Sequence, residues 1–132
     1  MKSFNVKTRS RTEFVNITRD VQDIVSDSGV KSGVCHVFVP HTTAGVTINE
    51  GADPSVEKDI LTMLNKLIPR SGGYLHMEGN SDAHIKTSLV GSSEVIIVDG
   101  GTLQLGTWQA IFFCEFDGAR SRQVMVKVMR EE

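Results

Sequence analysis

The feature that most constrains this chain is where its two hydrophobic rhythms fall. Apolar residues alternate every second position towards both ends and recur at helical spacing in between. Phe4 and Val6 alternate with Asn5 and Lys7, and Phe14, Val15 and Ile17 follow the polar stretch Thr8-Arg9-Ser10-Arg11. This pattern predicts two short strands joined by a turn. From there Ile17, Val21, Ile24 and Val25 change to helical spacing, and Gly29 supplies a stop. Gly33 to Val39 is a compact β-branched and aromatic run closed by Pro40, and Ala44 to Asn49 alternates as its expected antiparallel neighbour.

Asp53-Pro54-Ser55 is a helix start: the carboxylate caps free amides, and proline fits the first helical position. Val56, Ile60, Leu64, Leu67 and Ile68 mark one face of that helix, which ends before Pro69. Asn80-Ser81-Asp82 caps a shorter helix running through Leu89, with Gly91 as its stop. The last third is strand again: Glu94 to Val98, Trp108 to Phe116 and Arg122 to Met129. Asp117-Gly118 between the last two is a pair favoured in tight hairpins. Strands at both ends with helices between them predict an α+β fold in one domain spanning residues 1–132.

Bulk charge removes some function classes. The 14 Lys+Arg against 16 Asp+Glu leave a net charge of -2, without the basic footprint that a nucleic-acid backbone demands. No apolar run approaches membrane-spanning length. The opening Met1-Lys2-Ser3-Phe4 lacks the apolar stretch of a secretory signal, so the expected location is cytoplasmic. Cys35 and Cys114 sit inside apolar runs and read as small buried hydrophobes.

The chemistry-bearing residues gather around histidines. His36 lies mid-strand and reads as a sheet histidine, whereas His41, His76 and His84 each stand at the edge of an element beside small polar residues. Neutral imidazole suits zinc and related divalent metals, and three ligands with one open position is the usual catalytic arrangement. Three unrelated surface histidines would give the same spacing. Asn49 and Glu50 form an amide–acid pair beyond the strand that follows His41. Trp108, the only tryptophan, adjoins Gln109 and is expected in the core or an interface. Arg120 either grips a phosphate or carboxylate or pairs with Asp117 across the turn.

Three motifs, in this order, resemble the YjbQ-like family. They are Pro40-His41-Thr42-Thr43-Ala44-Gly45 with Asn49-Glu50, Gly79 to Lys86, and Gly106-Thr107-Trp108-Gln109 through Glu115-Phe116-Asp117-Gly118. The resemblance implies mostly antiparallel sheets in a sandwich-like arrangement, a homotrimer, and a polar pocket where His41, His76 and His84 hold a divalent metal, most simply zinc. Members of that family are described as having a secondary, weak thiamine-phosphate-synthase activity. The family pattern has proline between the glycine and arginine of the last motif, whereas this chain has Ala119, which predicts a looser turn around Arg120.

Two functions follow as expectations. One is a metal-dependent enzyme acting on a small phosphorylated substrate, with Glu50 as general acid/base and Lys86 and Arg120 steadying negative charge. Its substrate contacts are Thr42, Thr43, Asn49, Asn80, Ser81, Trp108 and Gln109, and three imidazoles favour zinc and hydrolysis over magnesium-dependent synthesis. The other is a non-catalytic trimer that binds a metal or small anion. A Glu50 that points away from the histidines favours the second. A purely structural metal predicts a closed four-ligand shell instead.

Overall fold

The computed structural model describes residues 1–132. The chain runs through β1 (Lys2–Lys7), β2 (Glu13–Asn16), α1 (Thr18–Ser28), β3 (Ser32–Phe38), β4 (Ala44–Glu50), α2 (Pro54–Leu67) and α3 (Ser81–Val90). It ends with β5 (Ser93–Asp99), β6 (Thr102–Leu103), β7 (Gln109–Glu115) and β8 (Ser121–Arg130). The α+β expectation holds, as do the antiparallel sheets. One sheet has the order β1-β8-β3-β5-β6 and the other β2-β7-β4.

Three layers result. The inner face of the five-stranded sheet, with Cys35, Val37, Ile96, Val98, Val124 and Val126, packs on Val46, Ile111 and Phe113 of the smaller sheet and on Val21 and Val25 of α1. The other face of the smaller sheet carries Phe14, Phe112 and Cys114, which meet Ile60, Leu61 and Leu64 of α2 and Ala83 and Val90 of α3. β7 is therefore covered on both faces, which is why Ala110 to Cys114 reads as an unbroken apolar run. Both cysteines are buried; burial pushes the Cys35 thiol up to about 11 and the Cys114 thiol higher still.

Local signals located the elements, but two expected pairings are wrong. The first two strands are joined by a turn as expected, β1 pairing with β8 and β2 with β7. β3 and β4 are also in different sheets, β3 between β5 and β8, β4 beside β7. Their alternating faces meet across the core, through Val37 and Val46. Asp117-Gly118 makes no hairpin either, because β7 and β8 also lie in different sheets. The 116–120 segment crosses between the layers instead, and the Gly118–Ala119 peptide bond within it is cis. Gly118 is packed so tightly that a Cβ there would stand 2.3 Å from the Ser10 carbonyl oxygen.

Helix ends follow the sequence more closely. Asp53 accepts a hydrogen bond from the Ser55 amide at 2.9 Å with Pro54 behind it, and Gly29 closes α1 at φ 71°. Asn80 holds the position before α3 but makes no side-chain cap. Its amide donates instead to Asp117 Oδ2 at 2.9 Å. β8 lies between β1 and β3.

Candidate functional site

β4 enters its sheet at Ala44, opposite Glu115, and leaves at Glu50, opposite Gln109. Six residues of extended chain span roughly 20 Å. The expected site residues are sorted by that length into two groups at opposite ends of the smaller sheet.

At the Ala44 end, His41 and His84 line one cleft of about 360 Å³ together with Thr42, Thr87, Ser88, Gly91 and Ser92, none of them apolar. The cleft has this shape because residues 39–43 cross from one sheet to the other while α3 packs on β4. Gly45 permits that approach: a Cβ on it would stand 2.4 Å from the Gly91 carbonyl oxygen. His84 leaves α3 on the cleft side, and its ring meets that of His76 edge-on, with centroids 5.4 Å apart. His76 belongs to the exposed segment between α2 and α3, flanked by Leu75 and Met77 at 98% and 97% exposure. Its Nε2 lies 3.8 Å from Glu78 Oε2.

His41 is tied down from the other side. Its Nε2 accepts a hydrogen bond from the Gln123 amide at 2.9 Å, so in the neutral ring the proton sits on Nδ1. Burial, and then the positive charge of Arg122, lower its pKa and favour that neutral ring. Thr87 Oγ1 is buried at this cleft with no hydrogen-bond partner.

The turn after β7 supplies the charge around the cleft. Arg120 Nη2 pairs with Asp117 Oδ2 at 2.7 Å and its Nε donates to the Asp117 carbonyl at 2.7 Å. Its backbone exchanges hydrogen bonds with Thr8, with Arg120 N donating to Thr8 Oγ1 at 2.8 Å and Thr8 N donating to Arg120 O at 2.9 Å. The turn is thus pinned with alanine at 119, and Arg120 takes the Asp117-paired arrangement weighed from the sequence. Beneath it, buried Glu115 and Arg122 form an ion pair, to which Thr8 and Thr43 add their hydroxyls. Thr43 is committed to that network, since its Oγ1 accepts from Arg122 Nη2 at 2.9 Å. Asn80 is committed to Asp117, although its own Oδ1 has no partner. Ser81 is half-buried at the first position of α3.

Lys86 points elsewhere. It is only 1% exposed, and its Nζ donates to Asp82 Oδ2 at 2.9 Å and Asn65 Oδ1 at 2.8 Å. Asp82 is also gripped by both terminal nitrogens of Arg11, each at 3.1 Å.

The second group is at the far end. Glu50 Oε2 accepts from the Asp53 amide at 3.2 Å, and Asn49 Oδ1 from the Glu50 amide at 2.8 Å. Gln109 Oε1 accepts from the Gly106 amide at 2.7 Å. Trp108 is 64% exposed there, which rules out the core and leaves the interface of the two places expected for it. Within one chain these four residues do not meet the histidines.

The histidines suit a zinc ion by donor type, but their arrangement is not a finished shell. No group of three or more His, Cys, Asp or Glu side chains is close enough to share an ion, and His41 Nε2 is already engaged by Gln123. The sequence reading missed Arg122, Thr87 and the Arg11–Asp82–Lys86 cluster. Only the last had a visible signal, the i,i+4 spacing of Asp82 and Lys86.

This architecture recurs in other proteins. The family model described as UPF0047 protein YjbQ-like matches residues 2–131. A UPF0047 protein of Methanocaldococcus jannaschii is 53% identical over 98% of this chain and 94% of its own length. YugU, a UPF0047 protein of Bacillus subtilis, is 48% identical over 98% of both. Among solved structures, an uncharacterised conserved protein of Clostridium acetobutylicum superposes with a TM-score of 0.96 at 53% identity, covering 98% of this chain and 100% of that one. A protein of unknown function from Sulfolobus solfataricus gives 0.95 at 36% identity, covering 98% and 96%. Near-complete coverage in both directions, on one fold, means that the chain belongs to the UPF0047 YjbQ-like family.

Proposed function

We propose that the histidine cleft binds a small phosphorylated molecule together with a divalent metal, zinc by the nature of its ligands. The observation that carries this reading is a cleft with no apolar wall, shared by His41 and His84, with His76 in ring contact with His84. His84 and His76 recruit the ion, and His41 joins when it releases the Gln123 amide. Arg120 and the unpartnered hydroxyl of Thr87 serve the phosphate oxygens.

Binding is favoured over turnover because Glu50 lies at the other end of β4, so within one chain the expected acid/base does not reach the cleft, and the carboxylate nearest the histidines, Glu78, is an exposed side chain 3.8 Å from His76 Nε2. One observation favours turnover as a second reading. Burial and the charge of Arg122 favour the neutral ring of His41, whose Nε2 becomes available as a base once it releases the Gln123 amide. Transfer of the thiamine-phosphate-synthase type, or hydrolysis, then proceeds with His41 in that role, or with Glu50 and Trp108 supplied by a neighbouring copy. A trimer is the proposed assembly. It is supported by the uncovered outer face of the five-stranded sheet, where Phe38, Val95, Ile97 and Met129 are exposed side by side.

Elemental analysis of purified protein, beside a variant lacking His41, His76 and His84, tests the reading. Near-stoichiometric zinc that the variant loses is the expected result. Equal metal in both samples, or none in either after reconstitution with zinc, overturns it.

A further inference from the structure

Behind α3, on the side away from the histidines, lies a second cavity of about 240 Å³ with no apolar wall, lined by Arg11, Thr12, Asn65, Arg70, Asp82 and Lys86. Its charges do not balance. Asp82 is the one carboxylate among three cations, and it is fully buried with both oxygens occupied by Arg11 and Lys86. The remaining bond of the Lys86 ammonium goes to a neutral amide oxygen of Asn65 at 2.8 Å. Arg70 is exposed at the rim and takes no part in the Asp82 ion pairs. Arg11 Nε is buried without any hydrogen-bond partner. A buried guanidinium donor left unpaired is costly, and the lining carries two positive charges beyond Asp82, one of them on the solvent-exposed Arg70, that an anion can meet.

The chemistry of the missing partner follows from the lining. A metal cation is repelled by the net charge. A single carboxylate leaves one positive charge uncompensated, and a nucleic-acid strand needs a longer basic track than this small cavity offers. A dianionic phosphate group matches the charge, and its oxygens suit guanidinium donors, an ammonium and the Thr12 hydroxyl. We propose that this cavity is a phosphate-binding site, taking inorganic phosphate or the phosphate of a small monoester. It is distinct from the histidine cleft, because α3, about 10 Å across, stands between them. The inference therefore does not rest on the metal reading above.

Titration calorimetry at low ionic strength tests it, with inorganic phosphate and glycerol phosphate as probes. The wild-type chain is expected to bind at least one of them saturably. Arg70→Gln should weaken that binding about tenfold, the loss of one charge-assisted contact, while His84→Ala changes it less than twofold. Arg11→Gln should abolish it. Because Arg11 also holds Asp82, the exposed Arg70 is the variant that separates lost binding from lost folding. Tighter binding of glycerol phosphate identifies a monoester site and tighter binding of inorganic phosphate a free-anion site, and both support the proposal. No saturable binding by the wild-type chain overturns it, as does binding that His84→Ala removes and Arg70→Gln leaves intact.

Discussion

His84 and Lys86 are two residues apart on α3, and their side chains serve opposite sides of it. His84 opens into the cleft shared with His41, whereas Lys86 is buried against Asp82 and Asn65. Two steps along a helix turn a side chain by about 200°, so an ammonium at 86 cannot share a cleft with an imidazole at 84. Lys86 is thus no part of the histidine cleft. Lys86→Met leaves Asp82 with Arg11 alone and should cost about 2 kcal/mol, less than the full loss of a buried pair. Urea unfolding measures that cost, and zinc uptake should stay within twofold of wild type. A loss of zinc without a loss of stability would put Lys86 in the cleft after all.

The Glu115–Arg122 pair is buried, and it makes stability depend on acid. Burial alone raises the Glu115 carboxyl, but Arg122, the Asp117 amide and the Thr8 hydroxyl outweigh it and hold the pKa below its ordinary value. The native state then binds fewer protons than the unfolded chain in the acid range. This contribution is complete above the unfolded value near ~4.3 and is lost as pH falls through the lower native value. Glu115→Gln should lower stability by about 3 kcal/mol at pH 7, since it leaves Arg122 buried without its counter-charge. It should also flatten the decline below about pH 4. Parallel acid limbs in the two proteins would show that Glu115 does not carry the linkage.

The sequence exposed the elements and hid their partners, for one physical reason. Capping and periodicity act over a few residues, so Asp53-Pro54, Gly29 and the β7 run were visible as a start, a stop and a strand. Pairing is decided by which apolar faces meet across the core. Val37 and Val46 face each other from different sheets, although the chain between them looks like a hairpin connection. Asp117-Gly118 misled in the same way: the local pair favours a tight turn, but the segment must cross layers so that Arg122 can reach Glu115. The histidines were legible as a group because each stands at an element edge. The distance to Glu50 was not, since it depends on β4 running its full length between His41 and Glu50. Nor was Arg11 legible, because it meets Asp82 from 71 residues away.

Gly45 sets the width of the histidine cleft. Its missing Cβ lets β4 lie against the end of α3, where the Val46 amide donates to the Gly91 carbonyl at 3.1 Å. Gly45→Ala places a methyl group 2.4 Å from that carbonyl oxygen, a contact relieved only by moving two backbones apart. The expected cost is about 2 kcal/mol, read from the urea midpoint, with zinc affinity reduced because His41 and His84 lie on the two walls that separate. Wild-type stability in this variant would mean that α3 rides on the sheet loosely enough to absorb the methyl.

The outer face of the five-stranded sheet bears on assembly. In register across its strands, Ile97 pairs with Val34 and Val34 with Met129, while Phe38 lies four residues further along the same face of β3, beyond His36 and its partner Val95. Ile97 is 63% exposed and Phe38 41%, with no helix of this chain above them. A contiguous apolar strip of this kind marks an interaction surface more often than bare surface, and a charge in its middle opposes association. Ile97→Glu should leave the monomer fold intact, because the side chain touches no buried core residue that depends on it. If the proposed trimer forms through this face, sedimentation should show it falling from three copies to one. If turnover draws on Glu50 and Trp108 of a neighbouring copy, activity should fall with the trimer, while zinc content should not if the proposed site of His41, His76 and His84 forms within one chain. A variant that stays trimeric would move the interface elsewhere, with the exposed Leu75 and Met77 beside His76 as the next surface to charge.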